Sequence, residues 1–238
     1  MWAAEIKGPA GKPPMVFIHG AGGSHRLFGY QMQAFRDSET CYFVDLPGHG
    51  SSPQPPAAPS IELYSGAMIT FLNGLVSPAI LIGHSMGGAV ALQAALARPD
   101  LVDRLVLLST GCRLPVPETV LHGFETDYDS TLDAILQHAF SRTVDPDLFA
   151  KACNGIRKTD PAIVRADFQA CSAFNVCGRL HEVTCPTLIV CGDNDRLTPL
   201  IYSEQLHASI AGSGLEVVPG GSHMLMLEQA ALFNQMLK

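Results

Sequence analysis

Short apolar runs alternate with longer amphipathic segments along most of the chain. The runs are apolar on both faces, which is typical of strands in a parallel sheet that helices cover on both sides. They predict strands at 16–18, 41–44, 79–82, 105–108, 187–191 and 215–218, and an antiparallel edge strand at 2–6. Helices are predicted between them at 27–35, 61–76, 86–97, 199–209 and 225–237. This alternation predicts an α/β fold, with a mostly parallel sheet flanked by helices.

The alternation stops between about residues 111 and 182, where no strand-like run occurs. Asp145 and Asp160 each precede a proline, which is a typical start of a helix. Together with the segment 130–140 they predict three short helices. We therefore expect a core formed by residues 1–111 and 184–238. Residues 112–183 are expected to form a small helical cap, inserted between two core strands of a single domain.

The composition narrows the class of protein. The 238 residues are 47% hydrophobic and 16% charged, which excludes a disordered chain. A net charge of −7 argues against binding to nucleic acid or to an anionic membrane. Seven scattered cysteines without a C-x-x-C pair predict reduced, mostly buried thiols and no metal site. The first seven residues lack the apolar core of a signal peptide, and no apolar run approaches about 18 residues, so we expect a cytoplasmic protein.

The candidate nucleophile is Ser85. The sequence GHSMGG at 83–88 fits the pattern G-x-S-x-G between a predicted strand and a predicted helix. In that context the glycines make room for a tight turn that exposes the serine at the N-terminus of the helix. The alternatives are a glycine-rich turn built only for packing and a phosphate-binding loop. The latter needs a G-K-[ST] sequence, which this segment lacks.

A serine nucleophile needs a base, and the base needs an acid that orients it. Two carboxylates, Asp193 and Asp195, follow the strand predicted at 187–191. We favour Asp195 as the acid and expect Asp193 to bond backbone groups of its turn. His223 lies in the loop after the last predicted strand and is the candidate base.

The backbone N–H groups of Ala21 and Met86 form the candidate oxyanion hole. Met86 follows the nucleophile, and Ala21 lies in the sequence HGAGG at 19–23, just after an early strand. Glycines in such a loop let the backbone approach a substrate. A dinucleotide-binding loop is the alternative, but its G-x-G-x-x-G spacing is absent. This chemistry requires no cofactor and no metal.

These motifs, with DLPGHGS at 45–51, GDND at 192–195 and GSH at 221–223, resemble the α/β-hydrolase family from about residue 14 onwards. The order Ser85, Asp195, His223 is the order of that family. The likeness is greatest to its small single-domain carboxylesterases and enol-lactonases. The resemblance implies that 45–51 is a structural turn, in which His49 makes local bonds, and that 112–183 cover the nucleophile. Only about 14 residues precede the first long strand, so we expect a family-typical N-terminal strand to be missing.

The expected activity is that of a serine hydrolase. It would cleave carboxylic esters of small to medium acyl groups through a Ser-His-Asp triad and an acyl-enzyme. A lactonase, a thioesterase or a C–C bond hydrolase are alternatives on the same triad, and an acyltransferase or a ligand receptor with little turnover belong to other classes. The partner is expected to be a small-molecule ester, and monomer and homodimer both remain open.

Apolar side chains of the predicted cap are expected to form the substrate pocket. Its basic side chains include the candidates for a clamp on a substrate carboxylate, although solvated helix faces explain most of them. These candidates are Arg113, Arg142, Arg157, Lys158 and Arg165.

Overall fold

A seven-stranded, mostly parallel sheet lies at the centre of the computed structural model, which describes residues 1–9, 11–55 and 57–238. The strands are β1 Trp2–Ile6, β2 Met15–Ile18, β3 Cys41–Asp45, β4 Ala79–His84, β5 Val102–Leu108, β6 Thr187–Gly192 and β7 Gly214–Val218. Their order is β1-β3-β2-β4-β5-β6-β7, in which only the edge strand β1 runs antiparallel to its neighbour. The fold class predicted from the sequence is confirmed.

Ten α-helices accompany the sheet in the part of the chain that the structure describes. They are α1 Gly29–Phe35, α2 Ile61–Leu72, α3 Met86–Ala97, α4 Glu118–Thr126, α5 Tyr128–Ala139, α6 Pro146–Ile156, α7 Pro161–Ala173, α8 Leu200–Ser209, α9 Leu225–Glu228 and α10 Ala230–Met236. Alternate residues of β2 point to opposite faces, as the two-residue period of a strand requires. Val16 and Ile18 belong to the apolar cluster that includes residues of α2, α3 and α8, whereas Met15 and Phe17 belong to the cluster that includes residues of α1, α9 and α10.

Three predicted helices differ from the observed ones. The helix predicted at 61–76 ends at Leu72, with Asn73 as its C-cap. The helix predicted at 225–237 is divided into α9 and α10 by Gln229, whose backbone (φ −127°, ψ 42°) is not helical. The segment predicted as a helix from residue 27 begins with a 3-10 turn at His25–Phe28, and α1 follows it. No described helix is both long enough and apolar enough to cross a membrane.

Residues 112–183, which we call the insertion, lie between β5 and β6. The prediction of three short helices there was wrong, because the insertion contains four helices, α4 to α7, and a 3-10 turn at Cys177–Glu182. Helix α4 escaped prediction because it has only nine residues, buries one side chain, Phe124, and contains Gly123, a poor helix former. A small apolar cluster of its own holds the insertion together; it contains Phe124, Leu132, Leu136, Cys153, Ile156 and Val164.

The two ends of the insertion are joined by a disulfide between Cys112 and Cys177. The expectation of reduced thiols throughout was therefore wrong for this pair. The physical reason lies in the sheet: β5 and β6 are neighbours, so the chain leaves and re-enters the core at adjacent points. A hydrogen bond of 2.8 Å from the amide of Val176 to the carbonyl of Cys112 also joins the two ends of the insertion. The other five cysteines are free thiols.

Candidate active site

Ser85 lies on a strained turn between β4 and α3. Its backbone has φ 54° and ψ −119°, outside the regions that residues with a side chain ordinarily adopt. The glycines around it are required by close packing. A Cβ on Gly83 would lie 2.3 Å from the carbonyl oxygen of Gly87, and a Cβ on Gly87 would lie 2.2 Å from that of Ile18. The turn presents the half-buried side chain of Ser85 to a cavity.

The structure brings Asp195 and His223 together. Nδ1 of His223 lies 2.9 Å from Oδ2 of Asp195, and both side chains are nearly inaccessible to solvent. The carboxylate also accepts hydrogen bonds from the amides of Leu197 and Thr198, both at 2.9 Å, and from the hydroxyl of Thr198 at 2.7 Å. This set of donors fixes the orientation of Asp195. The part played by Thr198 was not predicted from the sequence.

The ionisation of Asp195 follows from these contacts. Burial alone would raise the pKa of Asp195, but the charge of His223 and the hydrogen bonds from His223 and Thr198 hold that pKa below its ordinary value. Asp195 is therefore a carboxylate at neutral pH. A carboxylate in this position holds the proton of His223 on Nδ1, which leaves Nε2 free to accept a proton.

Ser85 and His223 line the same cavity. Among the hydrogen bonds of the described residues, none joins Oγ of Ser85 to Nε2 of His223. Hydrogen bonds between nucleophile and base are often long in the absence of substrate and shorten when it binds. The structure thus places Ser85 and His223 on one cavity wall, and pairs His223 directly with Asp195.

His84, which precedes the nucleophile, is a site residue that sequence reasoning missed. Its Nε2–H donates to the backbone carbonyl of His223 at 2.9 Å, so β4 supports the loop that carries the base. Its Nδ1 is buried without a partner in the described part of the chain. Burial, together with the nearby charge of His223, lowers the pKa of His84 to about 3, so the ring is neutral at physiological pH.

The loop at 19–23 lies directly against the nucleophile, since a Cβ on Gly20 would be 3.1 Å from Cβ of Ser85. Ala21 lines the cavity, and Met86 is the first residue of α3, where an amide has no partner within its helix. Nδ1–H of His19 donates to the carbonyl of Gly20 at 2.8 Å, while its Nε2 accepts from an amide of the following loop at 3.1 Å. Burial keeps the pKa of His19 well below its usual value, which suits this neutral form.

Asp193 and His49 make contacts that connect parts of the fold. The carboxylate of Asp193 accepts a hydrogen bond of 2.7 Å from the amide of Gly220, and so links the loops after β6 and β7. This partner lies 27 residues away, not in the turn of Asp193 as predicted. His49 contacts the carbonyl of Pro47 within its own turn, at 3.1 Å. It also contacts Asp167 of the insertion at 2.8 Å, which the sequence did not predict.

The cavity above Ser85 has a volume of about 800 Å³. Its wall is mostly apolar and comes largely from the insertion, including Leu114, Val116, Val120, Ile135, Leu136 and Phe168. None of the five basic residues considered for a carboxylate clamp lines it. Arg196 does line it, but its guanidinium donates to the carbonyls of Gln137 and Phe140, both at 2.7 Å. No cluster of possible metal ligands occurs among the described residues.

Comparison with known proteins places the chain in a family. The model of the alpha/beta hydrolase family matches residues 15–236. The chain therefore belongs to the α/β-hydrolase family, and the resemblance predicted from its motifs is confirmed.

Individual relatives and solved structures are also similar to it. The pimeloyl-[acyl-carrier protein] methyl ester esterase of Neisseria meningitidis serogroup C is 29% identical over 234 residues, which cover 92% of this chain and 90% of that protein. The structure of a thermophilic esterase is 30% identical with a TM-score of 0.86, covering 98% of this chain and 89% of that one. Est816, described as an N-acyl homoserine lactone degrading enzyme, is 26% identical with a TM-score of 0.89, covering 99% of this chain and 95% of its own.

Proposed function

We propose that the protein is a serine esterase that hydrolyses carboxylic esters of small to medium, uncharged acyl groups. The observation that carries the proposal is the Asp195–His223 pair on the same cavity wall as Ser85, which lies on a strained strand-to-helix turn. Two relatives named as esterases support the coarser statement, an ester-hydrolysing enzyme. The individual roles of the site residues are our assignment.

In the proposed mechanism Oγ of Ser85 attacks the ester carbonyl, and Nε2 of His223 accepts the serine proton. Asp195 holds the imidazole in the required tautomer and stabilises the imidazolium. The amides of Ala21 and Met86 donate hydrogen bonds to the oxyanion of the tetrahedral intermediate. His223 then protonates the departing alcohol, which leaves an acyl-enzyme.

Deacylation repeats these steps with water as the nucleophile. His223 removes a proton from the water, the hydroxide adds to the acyl carbonyl, and the second tetrahedral intermediate releases the carboxylic acid and Ser85. Every proton that His223 accepts is returned to a leaving oxygen. Apart from the substrate and water, this chemistry uses only the chain's own residues.

The cavity supports the choice of substrate class. Its apolar wall favours hydrocarbon acyl groups, and its volume of about 800 Å³ lies within the range of small-molecule sites. Nη2 of Arg196 donates to two backbone carbonyls, and most of the wall is apolar, so a carboxylate on the substrate would lose its hydration for few polar partners there. We further propose that the insertion acts as the cap of this cavity.

The cytoplasmic location of the protein stays a prediction.

The test is the hydrolysis of p-nitrophenyl esters from acetate to long chains, measured for the wild type and for Ser85→Ala. We expect turnover that is greatest for short to medium chains and falls to background in Ser85→Ala. A p-nitrophenyl ester with a terminal carboxylate should be a poorer substrate than the neutral ester of equal length. Folded wild type without turnover on any ester, or turnover that survives in Ser85→Ala, would contradict the proposal.

A lactone is a second candidate substrate, because opening its ring uses the same attack and the same oxyanion hole. The likeness to Est816 favours it. Rates on N-acyl homoserine lactones, measured beside the p-nitrophenyl esters of matching acyl length, separate the two. A higher kcat/KM on the lactones would identify the protein as a lactonase.

A further inference from the structure

The oxyanion loop at 19–23 is fixed by a series of hydrogen bonds that crosses two peptide groups. A peptide group is planar and trans, so its N–H points away from its carbonyl, and whatever holds the carbonyl also aims the N–H. The amide of Ala21 shares a peptide group with the carbonyl of Gly20. That carbonyl accepts hydrogen bonds from His19 at 2.8 Å and from the amide of Gly23 at 3.0 Å.

The series continues from Gly23 into the insertion. The amide of Gly23 shares its peptide group with the carbonyl of Gly22, and this carbonyl accepts a hydrogen bond of 2.9 Å from the hydroxyl of Thr159. Thr159 is buried in the connection between α6 and α7. A continuous chain of donors and acceptors therefore runs from the Thr159 hydroxyl to the amide of Ala21, and each bond in such a chain polarises the next.

The peptide group on the other side of Ala21 is held from the insertion as well. Its amide, that of Gly22, donates to Oδ2 of Asp167 at 2.8 Å. Asp167 lies on α7 and is inaccessible to solvent. Its carboxylate also accepts from Nε2 of His49 at 2.8 Å and from the hydroxyl of Tyr64 at 2.6 Å, so the core orients the carboxylate that holds the loop.

We propose that Thr159 and Asp167 are positioning residues for the oxyanion hole, so that the insertion shapes the electrostatics of the reaction as well as covering the cavity. The inference rests on the proposed function, in which the amide of Ala21 stabilises the oxyanion. Neither residue lines the cavity, and both act through the backbone of the loop. The two contacts join residues 137 and 145 positions apart, so no local sequence motif records them.

Thr159→Val tests the chain of hydrogen bonds, because it removes the hydroxyl and keeps the shape of the side chain. Removal of a whole oxyanion donor costs about 10²–10³ in kcat, so loss of its orientation and polarisation is expected to lower kcat about 10-fold. KM should change less than about 2-fold, since ground-state binding does not use the oxyanion hole. Thr159→Ser, which restores the hydroxyl, should recover most of the loss. A fall that Thr159→Ser does not reverse would overturn the proposal.

A trifluoromethyl ketone supplies a readout that a merely structural role would not change. It forms a tetrahedral adduct with the serine, and so reports on the oxyanion hole directly. Thr159→Val should weaken its inhibition by about the same factor as kcat, while inhibition by the unreactive methyl ketone stays the same. Equal inhibition of wild type and Thr159→Val would overturn the inference.

Asp167→Ala extends the test, and Tyr64→Phe is its matched control. Tyr64→Phe removes one hydrogen bond to Oδ1 of the same carboxylate but leaves the contacts of Oδ2 with Gly22 and His49, so kcat per titrated active site should fall far less than in Asp167→Ala, by about 2-fold. Asp167→Ala should lower kcat by more than about 10-fold, up to the cost of a lost donor. If Asp167→Ala does not fold, the Thr159 variants still decide the matter. Equal kcat in the Asp167 and Tyr64 variants would contradict the role of Asp167.

Failure of the inference and failure of the proposed function give different results. If wild-type hydrolysis survives Ser85→Ala and the trifluoromethyl ketone does not inhibit, the serine mechanism itself is wrong. If both behave as expected in the wild type but Thr159→Val retains full kcat, only the role of the insertion is wrong.

Discussion

The buried, neutral side chain of His84, next to Ser85, makes the free energy of unfolding depend on pH. Substitution of this one residue tests that dependence. His84 is 2% exposed, and burial lowers its pKa from 6.5 to about 3. Between these values the unfolded chain binds a proton at this residue and the folded chain does not. Titration of His84 therefore does not reduce the free energy of unfolding above pH 6.5. As pH falls from 6.5 towards 3, it lowers that free energy by about 1.4 kcal/mol for each pH unit.

His84→Gln removes this titration and keeps a side chain that can donate a hydrogen bond to the carbonyl of His223. At about pH 4.5, two units below the ordinary pKa, the wild type has lost about 2.7 kcal/mol through His84, whereas the variant has lost nothing at this position. The pKa of His19 is also lowered, mainly by burial and by the charge of His49, and His84 is the smallest of its causes, so its contribution is nearly the same in both proteins. The difference between the two isolates His84.

The assay is urea unfolding of the wild type and His84→Gln at about pH 7.5 and about pH 4.5. The excess stability of the wild type over the variant should shrink by about 2–3 kcal/mol at the lower pH. His122→Gln, at an exposed histidine on α4, is the control and should show no such change. The same difference for His84→Gln at both pH values would refute the reasoning.

Three further predictions concern the acid, the turn and the disulfide. Thr198→Val removes a buried hydrogen bond to a carboxylate and should lower the free energy of unfolding by about 2 kcal/mol in urea at neutral pH; a loss below about 0.5 kcal/mol would show that the bond is dispensable. Gly87→Ala forces a Cβ to 2.2 Å from a carbonyl oxygen of β2 and should prevent folding, whereas Gly66→Ala, at an open helical position, should raise the free energy of unfolding by about 1 kcal/mol. Circular dichroism on heating decides between them, and a folded, normally stable Gly87→Ala would contradict the packing argument. Replacement of both Cys112 and Cys177 by serine should cost roughly 4 kcal/mol, because the disulfide closes a segment of 65 residues. Dithiothreitol should then lower the Tm of the wild type but not that of the double serine variant. A wild-type Tm that does not change with dithiothreitol would contradict the pairing.

The sheet and the order of the site residues were predictable because their signals are local. A strand buried on both faces leaves a short apolar run, such as 79–82, and the turn after it needs glycines at fixed positions around Ser85. In the sequence, only its position in the loop distinguished Asp195 from Asp193 as the candidate acid. The structure separates them by contact, since Asp195 meets His223 and Asp193 meets Gly220.

The features that escaped prediction depend on contacts between distant parts of the chain. Helix α4 buries a single side chain, Phe124, whose aromatic partners Tyr128 and Phe168 lie on other helices of the insertion. The pairing of Cys112 with Cys177 follows from the adjacency of β5 and β6, which cysteine spacing does not record. The hydrogen bond from the amide of Gly22 to Asp167 likewise exists only once the insertion has folded back onto the oxyanion loop.

The most direct test of the proposed mechanism is mass spectrometry of the trapped acyl-enzyme. The protein is mixed with a p-nitrophenyl ester, quenched in acid within the first turnover, digested and mapped. We predict one acyl adduct, on the peptide that contains Ser85, absent from Ser85→Ala and accumulating more slowly in His223→Ala. Ester hydrolysis without an adduct on Ser85, or an adduct that persists in Ser85→Ala, would contradict it.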